Sequence, residues 1–388
     1  MTQAQEIRSS IYRLSELDWD FPGDKSDSPF SDLHFHPGRF VPQIPAALIG
    51  SLTEAGDCVL DPFCGAGTTL VEAQRLGRRP IGVDLNPVSC LVSRAKTFSI
   101  AAQEVEAHLM SALGRFTDFR LEGGNASCRF SYPPDVQLQK WYHPETGEEL
   151  CRIWAFIQQE RNHIARQLLL FCFSSALMAC CAETRSWGYV CDNVRPLERR
   201  YVDADAVFHD KVASFIDAYR RRDSRRLPRK EQPDPFPALV MQGDAATRLT
   251  ELEDQSIDLV VTSPPYFGVV DYVKAQRLTL EWFGLAIEPL RRQETGARSK
   301  RHRRTAFDQY MEELAATVSE LHRLLKQGRT LAMIVGESAK REAVKDRLLQ
   351  VLQAEGFESD LTLQRKIGLR RRQPASLVSE LLIVATKV

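Results

Sequence analysis

The sequence has no net charge and little of the patterning that marks several common protein classes. Its 388 residues include 51 lysines and arginines and 51 aspartates and glutamates, so the overall charge indicates no particular partner. The nine cysteines show no paired CxxC or Cys/His spacing, which argues against a disulfide framework and a structural metal. No apolar run reaches the ~18 residues that span a membrane, and no signal peptide is recognisable. We therefore expect a cytoplasmic protein with reduced thiols and neither a metal nor a membrane partner.

The chain is long enough, at 43% hydrophobic residues, for one large α/β domain with an inserted piece. Residues 57–97 have the pattern of a strand, a glycine-rich turn, a helix and a second strand, which begins a parallel sheet. The pattern from about 98 to 220 is helical, and 220–236 is predicted to be a basic linker or exposed loop. Strand and helix patterns then return, including a helix predicted to end at Gly328. The two ends are predicted to build one sheet around a largely helical insertion.

The stretch LDPFCGAGTT is a glycine-rich turn that opens a helix. Gly65 and Gly67 allow a tight turn and a close approach to a ligand, and the free N–H groups at the helix start favour negative charge. No lysine follows as in a P-loop, and Leu70 stands where a dinucleotide fingerprint needs a small residue. An adenosine ligand without a pyrophosphate therefore fits this turn best.

Two carboxylates follow the strand ends beside this turn. Asp84 closes the second strand, where it can accept hydrogen bonds from both hydroxyls of a ribose, and Asp61 can face a cationic group. S-adenosyl-L-methionine offers a ribose, an ammonium and a sulfonium and carries no phosphate, so we predict it as the cofactor. The alternative is a structural turn with incidental glycines, which the two carboxylates and a second motif disfavour.

The second motif is a strand end that carries Ser263, Pro264, Pro265 and Tyr266. The prolines fix φ, and the carbonyl before each proline stays free as an acceptor. The Pro264 carbonyl and the Ser263 hydroxyl suit the two donors of an exocyclic amino group, and Tyr266 offers a flat face for a base. The amino nitrogen could then attack a methyl sulfonium in line, so Cys64 is interpreted as packing or cofactor-adjacent rather than nucleophilic. A surface Pro-Pro turn is the alternative.

Together, DPFCGAGTT and TSPPY resemble the motifs of the DNA amino-methyltransferases, which methylate cytosine N4 or adenine N6 with S-adenosylmethionine. The resemblance covers about 33–97 and 238–388. It implies a Rossmann-like methyltransferase fold with a mostly parallel twisted sheet, plus the helical insertion. The catalytic residues would be Ser263, Pro264, Pro265 and Tyr266. The cofactor residues would be His36, Arg39, Phe40, Asp61, Phe63, Cys64, Gly65, Ala66, Gly67, Thr68, Asp84, Leu85, Asp244 and Ala245, with Asp244 taking the adenine amino group.

The order of the two motifs resembles the group of this family whose target-recognition region lies between them. We therefore predict three parts: 1–97 as an N-terminal arm and cofactor-binding part, 98–236 as the candidate target-recognition region, and 237–388 as the catalytic part. DNA is the predicted partner, and any restriction or defence partner would be a separate chain, because no nuclease motif is recognisable.

Candidate DNA contacts lie in arginine-rich stretches and just after the Ser-Pro-Pro-Tyr corner. The stretch 185–201 mixes arginines with aromatics and is either a base- and phosphate-contacting segment or a polar loop with a packed tryptophan. The basic runs 290–304 and 365–372 are either solvated faces or phosphate contacts, and their clustering in a neutral chain favours the latter. The predicted contacts are Arg185, Trp187, Arg195, Tyr272, Lys274, Arg298, Lys300, Arg301, Arg303, Arg304, Arg370 and Arg371.

The residue before the two prolines bears on the target base. In the family, Ser-Pro-Pro-Tyr goes mostly with cytosine N4, and Asp- or Asn-Pro-Pro-Tyr mostly with adenine N6. Ser263 therefore favours a site-specific cytosine-N4 methyltransferase that acts on a flipped base, with adenine N6 as the alternative. An RNA methyltransferase, such as one acting on tRNA guanine N2, and a catalytically inactive DNA-binding relative are further alternatives.

Overall fold

The structure is a computed structural model. It describes residues 3–21, 28–38, 40–121, 132–183, 190, 196, 200–225, 236–300, 302, 304–337, 343–366 and 379–388. The strands are β1 Cys58–Asp61, β2 Arg79–Asp84, β3 Leu239–Gln242, β4 Ile257–Thr262, β5 Leu325–Glu337, β6 Phe357–Lys366 and β7 Ser379–Lys387. The helices are α1 Gln3–Ser15, α2 Gln43–Leu52, α3 Thr68–Arg75, α4 Pro87–Lys96, α5 Ala102–Leu121, α6 Leu138–Trp141, α7 Pro144–Gln159, α8 His163–Cys180, α9 Ala204–Ser224, α10 Ala245–Leu249, α11 Tyr272–Ala275, α12 Arg277–Trp282, α13 Ile287–Gln293, α14 Ala306–Leu324 and α15 Ala343–Ala354, with one 3-10 turn at Arg298–Lys300.

The described strands form one sheet of seven in the order β3-β2-β1-β4-β5-β7-β6. Neighbours from β3 to β5 are parallel, whereas β7 runs antiparallel to both β5 and β6. The strand order reverses at β1 and β4, and open α/β sheets bind ligands at the carboxyl ends of the strands beside such a switch point. This topology confirms the predicted Rossmann-like methyltransferase fold and the prediction that both ends of the chain build one sheet.

Each face of the sheet is covered by its own layer of helices. Side chains alternate along a strand, so Val59 of β1 packs toward α1 and α2 while Leu60 packs toward α14. In β4, Leu259 likewise packs toward α1 and α2, and Val260 packs toward α14. Near-continuous apolar strands of this kind are expected when a parallel sheet is buried on both faces.

The insertion folds into a helical layer built from α5, α7, α8 and α9. Their buried side chains form one core with residues of α4 and α12, which belong to the two flanking parts. Helix α8 is long and apolar enough to cross a membrane by length and composition. Its Leu168, Phe171 and Leu177 are fully enclosed by this core, so we describe α8 as a core helix.

The structure corrects two sequence expectations and adds a strand. The basic stretch predicted as a linker from 220 begins inside α9, where the buried Arg222 guanidinium donates to the carbonyls of Phe98 (2.9 Å) and Ile100 (2.6 Å). Helix α14 ends at Leu324 rather than at Gly328, because Leu325 already pairs with Ile257 of β4. Strand β6 was not anticipated, since its sequence FESDLTLQRK is largely polar, as suits an edge strand.

Candidate active site

The glycine-rich turn lies between β1 and α3 and is packed tightly against two other segments. Gly65 has a φ of +47°, and an added Cβ would lie 2.9 Å from Cε1 of His36. Gly67 has a φ of +74°, and its Cβ would lie 2.7 Å from the hydroxyl of Ser93 on α4. Both positions therefore need glycine, for their backbone conformation and for the close approach of neighbouring side chains.

The Asp84 carboxylate, at the end of β2, holds the turn from the neighbouring strand. Its Oδ2 accepts a hydrogen bond from the Gly65 N–H (2.8 Å), and its Oδ1 accepts one from the Asn86 N–H (2.7 Å). Each carboxylate oxygen has a second lone pair, so Asp84 can hold the turn and still accept from a ligand hydroxyl. Enclosure raises the pKa of Asp84 to about 6, although these hydrogen bonds oppose the shift.

Asp61 connects the glycine-rich turn to the Ser-Pro-Pro-Tyr corner. Its side chain is 2% exposed, and its Oδ1 accepts hydrogen bonds from the Thr262 hydroxyl (2.6 Å) and the Phe63 N–H (3.1 Å). Thr262 is the last residue of β4 and immediately precedes Ser263. Burial raises the pKa of Asp61 to about 6, against the effect of its hydrogen bonds.

Both motifs face one open cavity of about 900 Å³, a volume that includes the solvent at its mouth. The sequence-predicted residues that line it are His36, Phe40, Asp61, Phe63, Cys64, Gly65, Ala66, Thr68, Asp84, Leu85, Asp244, Ala245, Ser263, Pro265 and Tyr272. Gly67 shapes the turn without lining the cavity, Pro264 is buried and is not part of the lining, and Arg39 lies outside the described residues.

The lining includes Asp244, which begins helix α10 beside β3. Its Oδ1 caps the helix by accepting from the N–H (3.1 Å) and the hydroxyl (3.2 Å) of Thr247. The side chain is exposed in the cavity wall. The contact of Asp244 with an adenine amino group stays a prediction, and the structure shows that this carboxylate lies in the cavity wall.

Tyr266 does not present the open ring face that the sequence predicts. The side chain is 8% exposed and does not line the cavity, because its hydroxyl lies 3.0 Å from Oε1 of Glu380 on β7. The aromatic residue that lines the cavity beside Ser263 is Tyr272, whose ring centroid lies 6.3 Å from that of His36. Tyr272 was predicted as a DNA contact, and the structure places it in the cavity wall.

The predicted DNA contacts differ in whether the structure describes them and in how exposed they are. Arg185, Trp187, Arg195, Arg301, Arg303, Arg370 and Arg371 lie outside the described residues. Arg298 and Arg304 are exposed, and Lys274 is half-buried. Lys300 is half-buried, and its ammonium donates to the carbonyls of Arg292 (2.8 Å) and Glu294 (2.7 Å), which holds the loop beside the cavity.

Two buried polar residues in the cavity wall escaped the sequence analysis. Glu294 accepts from the Tyr272 N–H (2.5 Å) through Oε1, while its Oε2 has no hydrogen-bond partner among the described residues. Asn86 caps α4 through Oδ1, and its Nδ2 likewise lacks a partner within the described part of the chain. Burial raises the pKa of Glu294 to about 8. Glu294 lies in a basic run that gave no sign of a buried carboxyl.

The residues of the cavity fit S-adenosylmethionine. Asp84 supplies acceptors for ribose hydroxyls, and the buried Asp61 supplies a negative charge for a cationic end. The unpartnered Nδ2 of Asn86 supplies a buried donor. Nothing in the lining matches a polyphosphate, because it contains no lysine or arginine among the described residues.

The raised pKa values give the cofactor affinity a pH dependence. The pKa values of Asp61 and Asp84 are both raised to about 6, so lowering the pH through this range neutralises the two carboxylates that are predicted to face the cation and the ribose. We expect S-adenosylmethionine to bind at least tenfold more weakly at about pH 5 than at about pH 8, measured by calorimetry. Asp84→Asn should show a shallower profile. An affinity that does not change with pH would contradict these roles.

Comparisons with known proteins found one family model and several related methyltransferases. A family model described as DNA methylase matches residues 9–94, which include the glycine-rich turn and Asp84. Type II methyltransferase M.MjaII of Methanocaldococcus jannaschii is 20% identical over an alignment covering 83% of this chain and 76% of that protein. Type II methyltransferase M.MvaI of Kocuria varians is 24% identical, over 66% of this chain and 58% of that protein. A solved S-adenosylmethionine-dependent methyltransferase from Methanosarcina mazei covers 88% of this chain and 97% of its own, at 10% identity and a TM-score of 0.37.

The sheet order, with the cavity at its switch point, is that of the Rossmann-like methyltransferase fold. The family match and the two Type II relatives confirm the resemblance to the DNA amino-methyltransferases. The family match ends before β4, so it does not include the Ser-Pro-Pro-Tyr corner.

Proposed function

We propose that this protein transfers a methyl group from S-adenosylmethionine to the N4 amino group of a cytosine that is flipped out of DNA. The observation that carries the proposal is the 2.6 Å hydrogen bond from Thr262 to Asp61. It fixes the end of β4, and therefore Ser263, beside the glycine-rich turn on the wall of one cavity. A methyl donor and an amino acceptor must be held side by side for in-line transfer, and this arrangement brings their binding residues together.

Each end of the cofactor has a group to hold it. Asp84 would accept from the ribose hydroxyls, Asp61 would face the cationic end, and Asp244 would take the adenine amino group. Phe40, Phe63 and Leu85 supply apolar walls. When bound, S-adenosylmethionine supplies an electrophilic methyl group on a sulfonium.

The Ser-Pro-Pro-Tyr corner would hold and orient the target amino group. The Ser263 hydroxyl and the Pro264 carbonyl would accept its two hydrogens, which keeps the nitrogen lone pair localised and available for attack. Direct attack needs no covalent enzyme intermediate. Cys64 fits this account, since burial raises the pKa of its thiol well above the ordinary value and keeps it neutral.

The base preference rests on the resemblance of Ser-Pro-Pro-Tyr to cytosine-N4 enzymes. The Ser263 hydroxyl can accept from the amino group of cytosine or of adenine, so adenine N6 is the alternative target. The buried Glu294 beside it adds a further polar group toward the space where a base would enter.

The three parts of the chain would divide the work. The sheet and its flanking helices, 1–97 and 237–388, would hold the cofactor and the corner, and 98–236 would read the DNA sequence. The helical core that joins α5–α9 to α4 and α12 would hold that reading region rigidly against the two flanking parts. A rigid attachment suits recognition in which the distance from the read bases to the modified base is fixed.

Arg298 and Arg304 are proposed to contact DNA phosphates beside the cavity. Both side chains are exposed, and Arg298 follows closely on Glu294 of the cavity wall. The variant Arg298→Ala/Arg304→Ala is expected to bind DNA more weakly and to lower the slope of log K against log salt by about 2, because each phosphate contact contributes about 0.9.

A matched control removes the same charge elsewhere. Arg8→Ala/Arg347→Ala takes two exposed arginines from α1 and α15 and should keep the wild-type slope. Fluorescence anisotropy at several salt concentrations measures both. A slope equal to wild type in the Arg298/Arg304 variant would refute their phosphate role.

A labelled-methyl assay tests the proposed function. The purified protein is incubated with methyl-labelled S-adenosylmethionine and either unmethylated DNA or total RNA. The proposal predicts label in DNA and none in RNA above a no-enzyme control. Label in RNA alone would move the substrate class to RNA. Cofactor binding without transfer to either polymer would favour the inactive DNA-binding relative.

A further inference from the structure

A chain of hydrogen bonds, half-buried at Ser263 and buried from Tyr266 onward, leads away from the cavity into the sheet. The Ser263 hydroxyl lies 3.3 Å from the Tyr266 hydroxyl, which lies 3.0 Å from Oε1 of Glu380 on β7. The other carboxylate oxygen of Glu380 pairs with the guanidinium of Arg365 on β6. Arg365 also donates from Nε to the carbonyl of Trp19 (3.0 Å). We call these four side chains, Ser263, Tyr266, Glu380 and Arg365, the hydroxyl relay.

The chemistry of the two ends decides which way each hydrogen bond runs. Arg365 donates only, and the Glu380 carboxylate that it pairs with accepts only. The Tyr266 hydroxyl must therefore donate to Glu380, and its oxygen is left to accept from Ser263. The Ser263 hydroxyl therefore points its proton at Tyr266, because the charged Glu380, two hydrogen bonds away, takes the proton of Tyr266.

Burial makes this direction firm. Glu380 is 6% exposed and Arg365 is 5% exposed, so water competes little for these groups. Burial, together with the nearby charge of Glu380, raises the pKa of Tyr266 well above its ordinary value, which keeps the phenol protonated and able to donate. The relay thus has one consistent arrangement of protons across its three oxygen-bearing groups.

We propose that Tyr266 and Glu380 are positioning residues that fix the Ser263 hydroxyl as a hydrogen-bond acceptor for the target amino group. This inference rests on the proposed function, because it assigns a task to Ser263 in amino methylation. A free serine hydroxyl can rotate and donate its hydrogen to the amino nitrogen, which would occupy the lone pair that must attack. Because the Ser263 proton is committed to Tyr266, its lone pairs face the amino hydrogens instead.

The relay also explains why Tyr266 is buried rather than open to the cavity. Its ring is held by the hydroxyl contact with Glu380, on a strand that is adjacent to β5 and one removed from β4. Tyr266, which follows the two rigid prolines, is thereby fixed in position. Its hydroxyl in turn fixes the hydroxyl of Ser263, which precedes the prolines.

The first test is Tyr266→Phe, which keeps the ring and removes the hydroxyl. We expect kcat to fall about tenfold or more, the loss typical of one well-placed hydrogen bond at a reacting centre, with an unchanged KM for DNA and an unchanged Kd for S-adenosylmethionine. The control is Tyr219→Phe, which removes another buried hydroxyl, bonded to the Ala95 carbonyl at 2.5 Å in the helical layer. That control should lose stability without losing kcat.

A double-mutant cycle separates positioning from general damage. In a Ser263→Ala background the relay has no hydroxyl to orient, so adding Tyr266→Phe should cause no further loss of single-turnover rate. Glu380→Gln provides a second variant. Its amide can donate to the Tyr266 oxygen and turn the tyrosine proton toward Ser263, so its kcat should fall about as much as that of Tyr266→Phe.

The outcomes distinguish this inference from the proposed function. A Tyr266→Phe enzyme with wild-type kcat, or losses that multiply in the double variant, would overturn the relay while leaving the function intact. If Ser263→Ala retains full activity, the proposed role of Ser263 fails first. Thermal unfolding of every variant identifies any rate loss that comes from unfolding, and Glu380→Gln decides the matter if Tyr266→Phe does not fold.

Discussion

Replacing Ser263 with alanine is expected to lower kcat by about 100-fold, the scale of loss seen when one pre-organised hydrogen-bonding group is removed from an active site. The hydroxyl donates to Tyr266 and not to the glycine-rich turn, so the Kd of S-adenosylmethionine should stay at the wild-type value. Single-turnover methylation and calorimetry measure the two quantities.

The matched control for this prediction is Ser256→Ala. Ser256 precedes β4, its hydroxyl donates to the Glu253 carbonyl (2.6 Å), and it does not line the cavity. It should methylate at the wild-type rate. If Ser263→Ala and Ser256→Ala behave alike, the corner does not hold the target amino group.

Replacing Asp84 with alanine is expected to weaken S-adenosylmethionine binding by about 100-fold or more. The change removes the acceptor for the ribose hydroxyls, and charge-assisted hydrogen bonds of this kind contribute roughly 1.5–3 kcal/mol each. It also removes the partners of the Gly65 and Asn86 N–H groups, so the turn loses its support from β2. DNA binding measured without cofactor should change little.

Two comparisons sharpen this prediction. Asp84→Asn keeps one carbonyl oxygen but places an amide where two backbone N–H groups need acceptors, so its affinity should fall between wild type and Asp84→Ala. Asp254→Ala removes an exposed carboxylate that pairs with Arg323 away from the cavity lining, and it should bind the cofactor normally. An unchanged affinity for Asp84→Ala would remove Asp84 from the cofactor site.

Local sequence patterns predicted the parts of the site that depend on neighbouring residues. The need for glycine at Gly65 and Gly67 follows from a strand, a tight turn and a helix within a few residues. Asp61 and Asp84 are the last residues of their strands, and the carboxyl ends of parallel strands lie at the same edge of the sheet. The meeting of Ser263 with the turn also follows, because both motifs end strands of one sheet.

Contacts between residues distant in the chain could not be predicted in the same way. The burial of Tyr266 depends on Glu380 and Arg365, which lie in β7 and an unanticipated edge strand. Lys300 and Glu294 stood in a basic run that indicated a solvated or phosphate-binding face. Their roles in the cavity wall depend on how that loop folds back against Tyr272. In each case the position of a polar residue depends on a partner that the periodicity of the nearby sequence cannot predict.

Methyl transfer to cytosine N4 is tested most directly by mass spectrometry of nucleosides. The DNA is first treated with the purified protein and S-adenosylmethionine carrying a deuterated methyl group. We expect the wild-type protein to produce deuterated N4-methylcytosine and the Ser263→Ala variant to produce much less of it. Deuterated N6-methyladenine would keep the cavity and its residues in their roles and overturn the cytosine assignment. If the protein binds the cofactor but the DNA contains no deuterated nucleoside, the proposed DNA methylation is wrong.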